Sequence, residues 1–365
     1  MPKFFVLICG LAFLSFPVYA DDSAVYRDAY DFARQTYVEP LTYGQIAVNT
    51  LKGLREVDKQ LRVADDSVRL TLYYQARVVR SFTKPEPDDR DAWLALTGEV
   101  IAAAKKISPQ AKRRDFDIPD LTLAALIKSL DSDSKYYLSP EDHRQNLPLH
   151  RRNYAERRID NILYLKIVAF NNYTLASVKE TLQNNRDVEG IILDLRGSPG
   201  GLLSAAVDIA DLFLDGGIVV SVQGREDKPV KFYNSREGNE LSAVPLVVLI
   251  DAETASAAEV LAAALQEQGR AKVVGTLSYG KGSIQELKLL PNNSEMALTT
   301  AYFYTPSGRR LHRQGGIPDI CTAFYPDGKD VRRLLAYTPD YPCEKETREN
   351  AELDIETARA LLNRD

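Results

Sequence analysis

Histidine and cysteine are scarce in this chain, with three of each in 365 residues, and there is a single tryptophan. The histidines, His143, His150 and His312, never fall into H-E-x-x-H, and no paired C-x-x-C occurs. Nothing therefore resembles a zinc site, and neither a metal nor an organic cofactor is expected. No G-x-S-x-G segment occurs either, so a Ser-His-Asp hydrolase of that type is unsupported. His143 and His150 sit among Arg144, Arg151 and Arg152 and read as solvated. His312, in Arg309-Arg310-Leu311-His312-Arg313, has cationic neighbours that oppose its protonation and suggest an exposed loop. A dominant charge is also missing: 46 Lys+Arg face 51 Asp+Glu, a formal net charge of −5. Such a mild acidic balance argues against nucleic acid as a partner. After the N-terminus no apolar run is long enough to span a bilayer.

The apolar run at the N-terminus has its own reading. Lys3, the stretch from Phe4 to Leu14, and Val18-Tyr19-Ala20 before Asp21-Asp22 have the layout of a secretory signal, residues 1–20, cleaved after Ala20. A periplasmic or extracellular location is expected for the mature chain. Cys9 is a poor lipoprotein site, because Ile8 precedes it where a small residue is needed. The mature chain keeps Cys321 and Cys343, an even pair that suggests one disulfide in an exported protein, with two free thiols as the alternative. Such a bridge would close a loop of about 20 residues and contribute roughly 3 kcal/mol if unstrained.

With 45% hydrophobic residues the chain can build a sizeable core. Pro245-Leu246-Val247-Val248-Leu249-Ile250 is a continuous apolar run, as a strand buried on both faces should be. From Ala257 to Arg270 the period changes, with Val260, Leu261, Ala264 and Leu265 at helical spacing and Gly269 as a C-terminal stop. Ser256 thus falls at a strand-to-helix turn, where the free N–H groups of the first helical turn can face a developing oxyanion. A helix N-cap is the plainer role for a serine there. Ala255, Ala257 and Ala258 leave room for a substrate backbone.

After the helix, Ala271-Lys272-Val273-Val274-Gly275 reads as a return strand that brings the chain back beside Ser256 at Lys281. Lys281 stands between Gly280 and Gly282, which suit close backbone approach. To act as a base a lysine must lose its proton far more readily than usual, through burial or a nearby cation; a solvated surface lysine is the alternative. The segment from Gly275 to Lys281 also matches the first seven positions of a P-loop. Residue 282 is Gly where the Mg²⁺ ligand Ser or Thr belongs, and Ser283 to Leu289 alternates like a strand, so the phosphate-cradling helix is missing.

Ser256-Ala257-Ala258-Glu259 at a helix start, then Gly280-Lys281-Gly282 and Gln285, resembles the carboxy-terminal processing proteases, the tail-specific serine peptidases of family S41. Asp194-Leu195-Arg196-Gly197-Ser198-Pro199-Gly200-Gly201-Leu202 is similar to that family's D-L-R-x-N-P-G-G-L segment, with Ser198 in place of Asn. Tyr304 to Arg309, Gly316-Ile317-Pro318-Asp319 and the stretch Leu123 to Pro140 resemble further family segments. The resemblance implies an α/β fold with an S41-type (ClpP/crotonase-like) catalytic core and an N-terminal helical region. It implies Ser256 as nucleophile, Lys281 as base and Gln285 orienting the lysine. The oxyanion hole would be formed by the N–H of Ala257 with that of Gly200 or Gly201. The expected activity is endopeptidase cleavage of protein substrates near their C-termini through an acyl-enzyme. A non-catalytic peptide-binding or scaffold protein on the same fold is the alternative.

Five regions follow: the signal, 1–20; a helix-rich region, 21–145, with a loop at Lys84-Pro85-Glu86-Pro87; a short linker, 146–158; the α/β core, 159–320; and a tail, 321–365, holding the cysteine loop and a final helix. Within the core, Arg225 to Asn239 reads as a polar hairpin or loop. Where relatives carry a PDZ domain of about 90 residues, which captures a C-terminal carboxylate, only about 20 residues lie between Pro140 and Ile159. Recognition of the substrate tail would then fall to another surface, to the cleft, or to an accessory protein that delivers the substrate. Arg144, Arg151, Arg152, Arg157 and Arg158 could meet a carboxylate or form a solvated linker.

Overall fold

The computed structural model describes residues 22–113, 117–145, 153–238, 243–323, 331, 335, 343–346 and 352–363. The signal-like segment lies outside them, as do His150, Arg151, Arg152 and the side chains of His143 and Arg144.

The N-terminal region is built on α1 (Asp22–Thr36), α2 (Tyr43–Lys52), α3 (Leu54–Val57), α4 (Arg90–Ile107) and α5 (Ile118–Leu130). Their apolar stripes meet around Tyr30, Ile46, Leu51, Trp93 and Leu126, all buried. Side-chain caps set the helix starts: Thr42 and Gln45 form a reciprocal capping box, and Asp89 and Asp117 accept from the N–H of Ala92 and Asp120. An antiparallel meander, β1 (Leu61–Asp65), β2 (Arg69–Tyr74) and β3 (Arg77–Thr83), interrupts the helices. A helix-rich reading of residues 21–145 does not anticipate it. The β2–β3 turn places Gln75 and Ala76 at φ 50° and 65°, both positive as in a type I′ turn, without the Asn-Gly pair that usually announces one.

The core is a six-stranded sheet in the order β14-β11-β10-β7-β6-β5. It comprises β5 (Tyr154–Ile159), β6 (Ile162–Ile167), β7 (Gly190–Asp194), β10 (Leu246–Ile250), β11 (Lys272–Gly275) and β14 (Ile320–Cys321). All pair in parallel except the edge strand β5. Every residue of β7 and β10 is buried, because both faces are covered. On one face Leu165, Leu193, Val248 and Val273 meet α7 (Asn172–Asn184), α8 (Leu203–Ala210) and α9 (Ala257–Glu267). On the other, Tyr164, Ile192, Val247 and Leu249 meet α10 (Glu352–Leu362) through Ile355, Ala358 and Leu362.

A second sheet runs β12 (Ser283–Leu289), β13 (Glu295–Tyr304), β8 (Gly217–Gln223), β9 (Lys231–Ser235), with β4 (Lys135–Tyr137) also pairing to β13. Because β4 follows α5, the N-terminal region is joined to the core through this sheet. Leu290, Met296 and Leu298 belong to the N-terminal apolar cluster for the same reason.

Two boundaries differ from the sequence reading, and the polar hairpin agrees with it. α6 (Pro140–Gln145) ends the N-terminal region and β5 begins at Tyr154, so Tyr154 to Arg158, read as linker, form a core strand. Arg158 pairs with Asp187 at 2.8 Å and Arg157 stacks over the Tyr164 ring at 4.7 Å. The polar stretch from Arg225 contains β9 and closes a hairpin with β8. The residues after 320 are not peripheral: α10 covers a face of the sheet and sends Asp354 to the buried Arg196 at 2.8 Å.

Candidate active site

The parallel sheet delivers three loops to one edge: the segment after β7, the turn between β10 and α9, and the loop between β11 and β12. In the first, Asp194 is buried and holds Arg196 through both Nε, at 2.9 Å, and Nη2, at 2.6 Å. Burial works against the Asp194 charge, but hydrogen bonds and charge from Arg196 outweigh it and hold the carboxyl below its ordinary pKa. This anchor fixes the start of Gly197-Ser198-Pro199-Gly200-Gly201. Asp251, at the end of β10, takes the Gly197 N–H at 2.9 Å, and the Ser198 carbonyl takes the Ala255 N–H at 2.8 Å. The glycine segment is thereby bound to the Ser256 turn.

Ser256 is half-buried, at φ 57° and ψ −121°. A non-glycine residue in this region costs on the order of 1–3 kcal/mol and persists only where its surroundings impose it. Here the imposing groups are identifiable. The Ser256 N–H donates to Glu259 Oε2 at 2.8 Å, and its carbonyl accepts from Val260 at 3.0 Å. Gly200 lies against the turn at φ +91°; a Cβ there would fall 2.6 Å from the Ala255 carbonyl oxygen, 2.8 Å from the Ala257 nitrogen and 2.9 Å from Ser256 Cβ. Gly201 faces elsewhere and bridges to Phe170. Among the described residues the N–H groups of Gly200, Gly201 and Ala257 have no hydrogen-bond partner, so each is available to an incoming oxygen.

Glu259 is the joint between the second and third loops, and sequence reasoning gave it no role. It is fully buried and accepts from the N–H groups of Ser256, Gly280 and Lys281 at 2.8, 2.7 and 2.9 Å, and from the Ser278 hydroxyl. Burial raises its pKa despite these donors. One carboxylate therefore spans the backbones of the proposed nucleophile and base. The available signal was its capping-box spacing, an acid three residues after a serine N-cap.

The side chains of Lys281 and Gln285 lie apart from this joint. Lys281 is exposed, and among the described residues its Nζ has no hydrogen-bond or ion-pair partner. Gln285 lies on β12, where the pairing with β13 shifts register between Ile284 and Gln285. Its amide donates to the Asp133 carbonyl in the loop after α5, not to Lys281. Asp133 also accepts from the Ser283 hydroxyl and lies 3.5 Å from His312 Nδ1. His312 is not on an exposed loop: its side chain is 10% accessible and its ring lies 5.0 Å from that of Tyr302. Burial depresses its pKa, with Arg310 and Arg313 acting in the same direction and Asp133 and Asp131 against it.

Cys321 and Cys343 form a disulfide. Among the described residues no helix is long and apolar enough to cross a membrane.

Comparison with known proteins agrees with this architecture. The model of peptidase family S41 matches residues 161–322. A carboxy-terminal-processing protease of Bartonella bacilliformis is 38% identical to it over 166 residues, 44% of this chain and 38% of that protein. The chloroplastic carboxyl-terminal-processing peptidase 3 of Arabidopsis thaliana is 38% identical over 165 residues, 44% of this chain and 31% of that protein. The matches thus span well under half the length of these relatives. A solved photosystem II D1 C-terminal processing protease superposes with TM-score 0.58 at 17% identity, over 95% of this chain and 98% of that one. That likeness shows the fold: an S41-type α/β core preceded by a helical region.

Proposed function

We propose that this chain is an exported serine endopeptidase that cleaves protein substrates near their C-termini through a Ser256–Lys281 dyad. The observation that carries the reading is the imposed positive-φ turn at Ser256, joined through buried Glu259 to the backbone of Lys281. In the proposed reaction neutral Lys281 takes the Ser256 hydroxyl proton and Oγ attacks the substrate carbonyl. The Ala257 N–H and the neighbouring Gly200 N–H hold the tetrahedral oxyanion, the amine leaves, and water releases the acyl group. The contact of Gly200 with the turn favours it over Gly201 as the second donor. The exposed Lys281 has to swing to within about 2.6–3.2 Å of Oγ when substrate binds, and Gln285 has to leave the Asp133 carbonyl to orient it. Arg157 and Arg158 are already engaged, by the Tyr164 ring and Asp187, so another surface, the cleft or a delivery protein is the better candidate for capturing a substrate tail.

The same separation of Lys281 from Ser256 favours one other reading, a peptide binder on a peptidase fold. A serine-reactive fluorophosphonate, with mass spectrometry of the adduct, distinguishes them. The peptidase reading expects stoichiometric label on Ser256, none in Ser256→Ala, and labelling slower by about 100-fold or more in Lys281→Ala. Peptides with free and amidated C-termini, run in parallel, test tail dependence. A folded wild-type chain that neither labels nor hydrolyses peptide is a binder.

A further inference from the structure

The segment Cys343–Glu346 crosses the site edge at the loops that carry Ser256 and Lys281. The Ala252 N–H, in the turn leading to Ser256, donates to the Glu346 carbonyl at 3.1 Å. The Leu277 N–H, in the loop leading to Lys281, donates to the Glu344 carbonyl at 3.1 Å, and the Thr276 hydroxyl reaches the Glu346 carbonyl at 2.7 Å. Lys345 Nζ reaches the Tyr279 carbonyl at 2.7 Å. One four-residue segment is thus bonded to both loops, whose direct backbone link is Tyr279 N–H to the Thr254 carbonyl at 3.0 Å.

Burial does not hold the segment there. Glu344, Lys345 and Glu346 are exposed, and hydrogen bonds alone fix so short a stretch only weakly. The bridge from Cys343 to Cys321 ties it to the last strand of the core sheet, where β14 pairs with β11 and the Thr322 N–H donates to the Gly275 carbonyl at 2.8 Å. Cys343 is itself partly exposed, so a thiol can reach the bridge.

We propose that the disulfide-tethered segment Cys343–Glu346 is a redox-labile clamp that holds the Ser256 and Lys281 loops in register, so that a dithiol reductant lowers turnover reversibly. The reaction is thiol–disulfide exchange: a dithiol thiolate attacks Cys343 Sγ, the S–S bond breaks, and its second thiol displaces the mixed disulfide. Two cysteine thiols form and the dithiol is oxidised to its own disulfide. The effect on turnover rests on the peptidase reading; the structural effect does not.

The test compares oxidised and dithiothreitol-reduced wild-type chain. Amide hydrogen exchange should accelerate at Ala252 and Leu277 on reduction while Val248 and Leu249 stay protected. The kcat for peptide hydrolysis should fall by about tenfold with KM little changed, and recover on reoxidation. A Cys321→Ser/Cys343→Ser variant should behave as the reduced chain and ignore dithiothreitol. Unchanged exchange at Ala252 and Leu277 overturns the clamp, as does faster exchange with unchanged kcat, or a dithiothreitol effect that persists in the double variant. If the oxidised chain hydrolyses no peptide, the peptidase reading fails and the exchange result alone decides the clamp.

Discussion

Ser256 is gripped from inside the S41 core, by Glu259 on its own helix and by the Gly200 segment after β7, whereas the strand after Lys281 is gripped from outside, by the Asp131 to Ser134 loop of the N-terminal region. In that loop Asp131 accepts from the N–H groups of Asp133 and Ser134 at 2.7 and 2.6 Å. The loop then holds Ser283 and Gln285 through Asp133, while the Ser134 hydroxyl accepts the Thr299 N–H at 3.1 Å. The Ser256 side is therefore set by the fold of one domain, and the Lys281 side by an interface. In the proposed dyad, a site divided this way would have a pre-formed attacking group and an adjustable base, consistent with catalytic geometry that tightens only with substrate bound.

The comparison is broken most directly at Glu259, a buried group bonded to both sides. Glu259→Ala leaves three backbone N–H donors and the Ser278 hydroxyl without their acceptor, for an expected stability loss on the order of 3–5 kcal/mol. The midpoint of urea unfolding at unchanged slope measures it. Glu259→Gln keeps one carbonyl acceptor and should lose less. A change within about 0.5 kcal/mol in both, as at an ordinary surface position, would mean that Glu259 does not hold the two loops together.

A narrower cut falls on the nucleophile side alone. Gly200→Ala puts a Cβ 2.6 Å from the Ala255 carbonyl oxygen at φ +91°. The backbone conformation costs about 1–2 kcal/mol, and relief of the contact has to move the Ser256 turn. Hydrolysis should fall by about 100-fold, chiefly in kcat, because the oxyanion donors serve the transition state. A loss confined to KM would instead make Gly200 part of substrate binding.

These two residues also mark what the sequence could say. The Ser256 turn was legible because an apolar run, a serine and a helical period follow one another in a few residues, and the core sheet followed from similar runs. Glu259 stood in a quoted motif, but its partners Gly280 and Lys281 lie more than 20 residues along the chain and no local pattern connects them. Gln285 shows the opposite case. The resemblance implied that it orients Lys281, yet the capturing carbonyl belongs to Asp133, 152 residues away, and the register shift beside Ile284 has no sequence signature. The meander at residues 61–83 was missed because Gln75 and Ala76 make a tight turn without turn residues. Arg310 and Arg313 made His312 look solvated, whereas the Arg310 guanidinium lies over the Tyr302 ring at 3.6 Å, covering the histidine's neighbour.

His312 offers the smallest effect and the finest probe of the base side. It faces Asp133 and Tyr302, with Asp131, Arg310 and Arg313 in electrostatic reach. Burial lowers its folded-state pKa below the ordinary value, so the unfolded chain binds the proton more readily. The stability tied to the neutral ring is then fully present above an unfolded pKa of about 6.5. It declines as pH falls from there toward the depressed folded value. Melting temperatures taken between about pH 7.5 and pH 5.5 should drop more steeply in wild type than in His312→Gln, which carries no titrating ring. If the two slopes coincide, the ring is paired with Asp133 strongly enough to cancel its burial. The loop that holds Gln285 would then be fastened to the segment after β13 by an ion pair, as well as to β12 by hydrogen bonds.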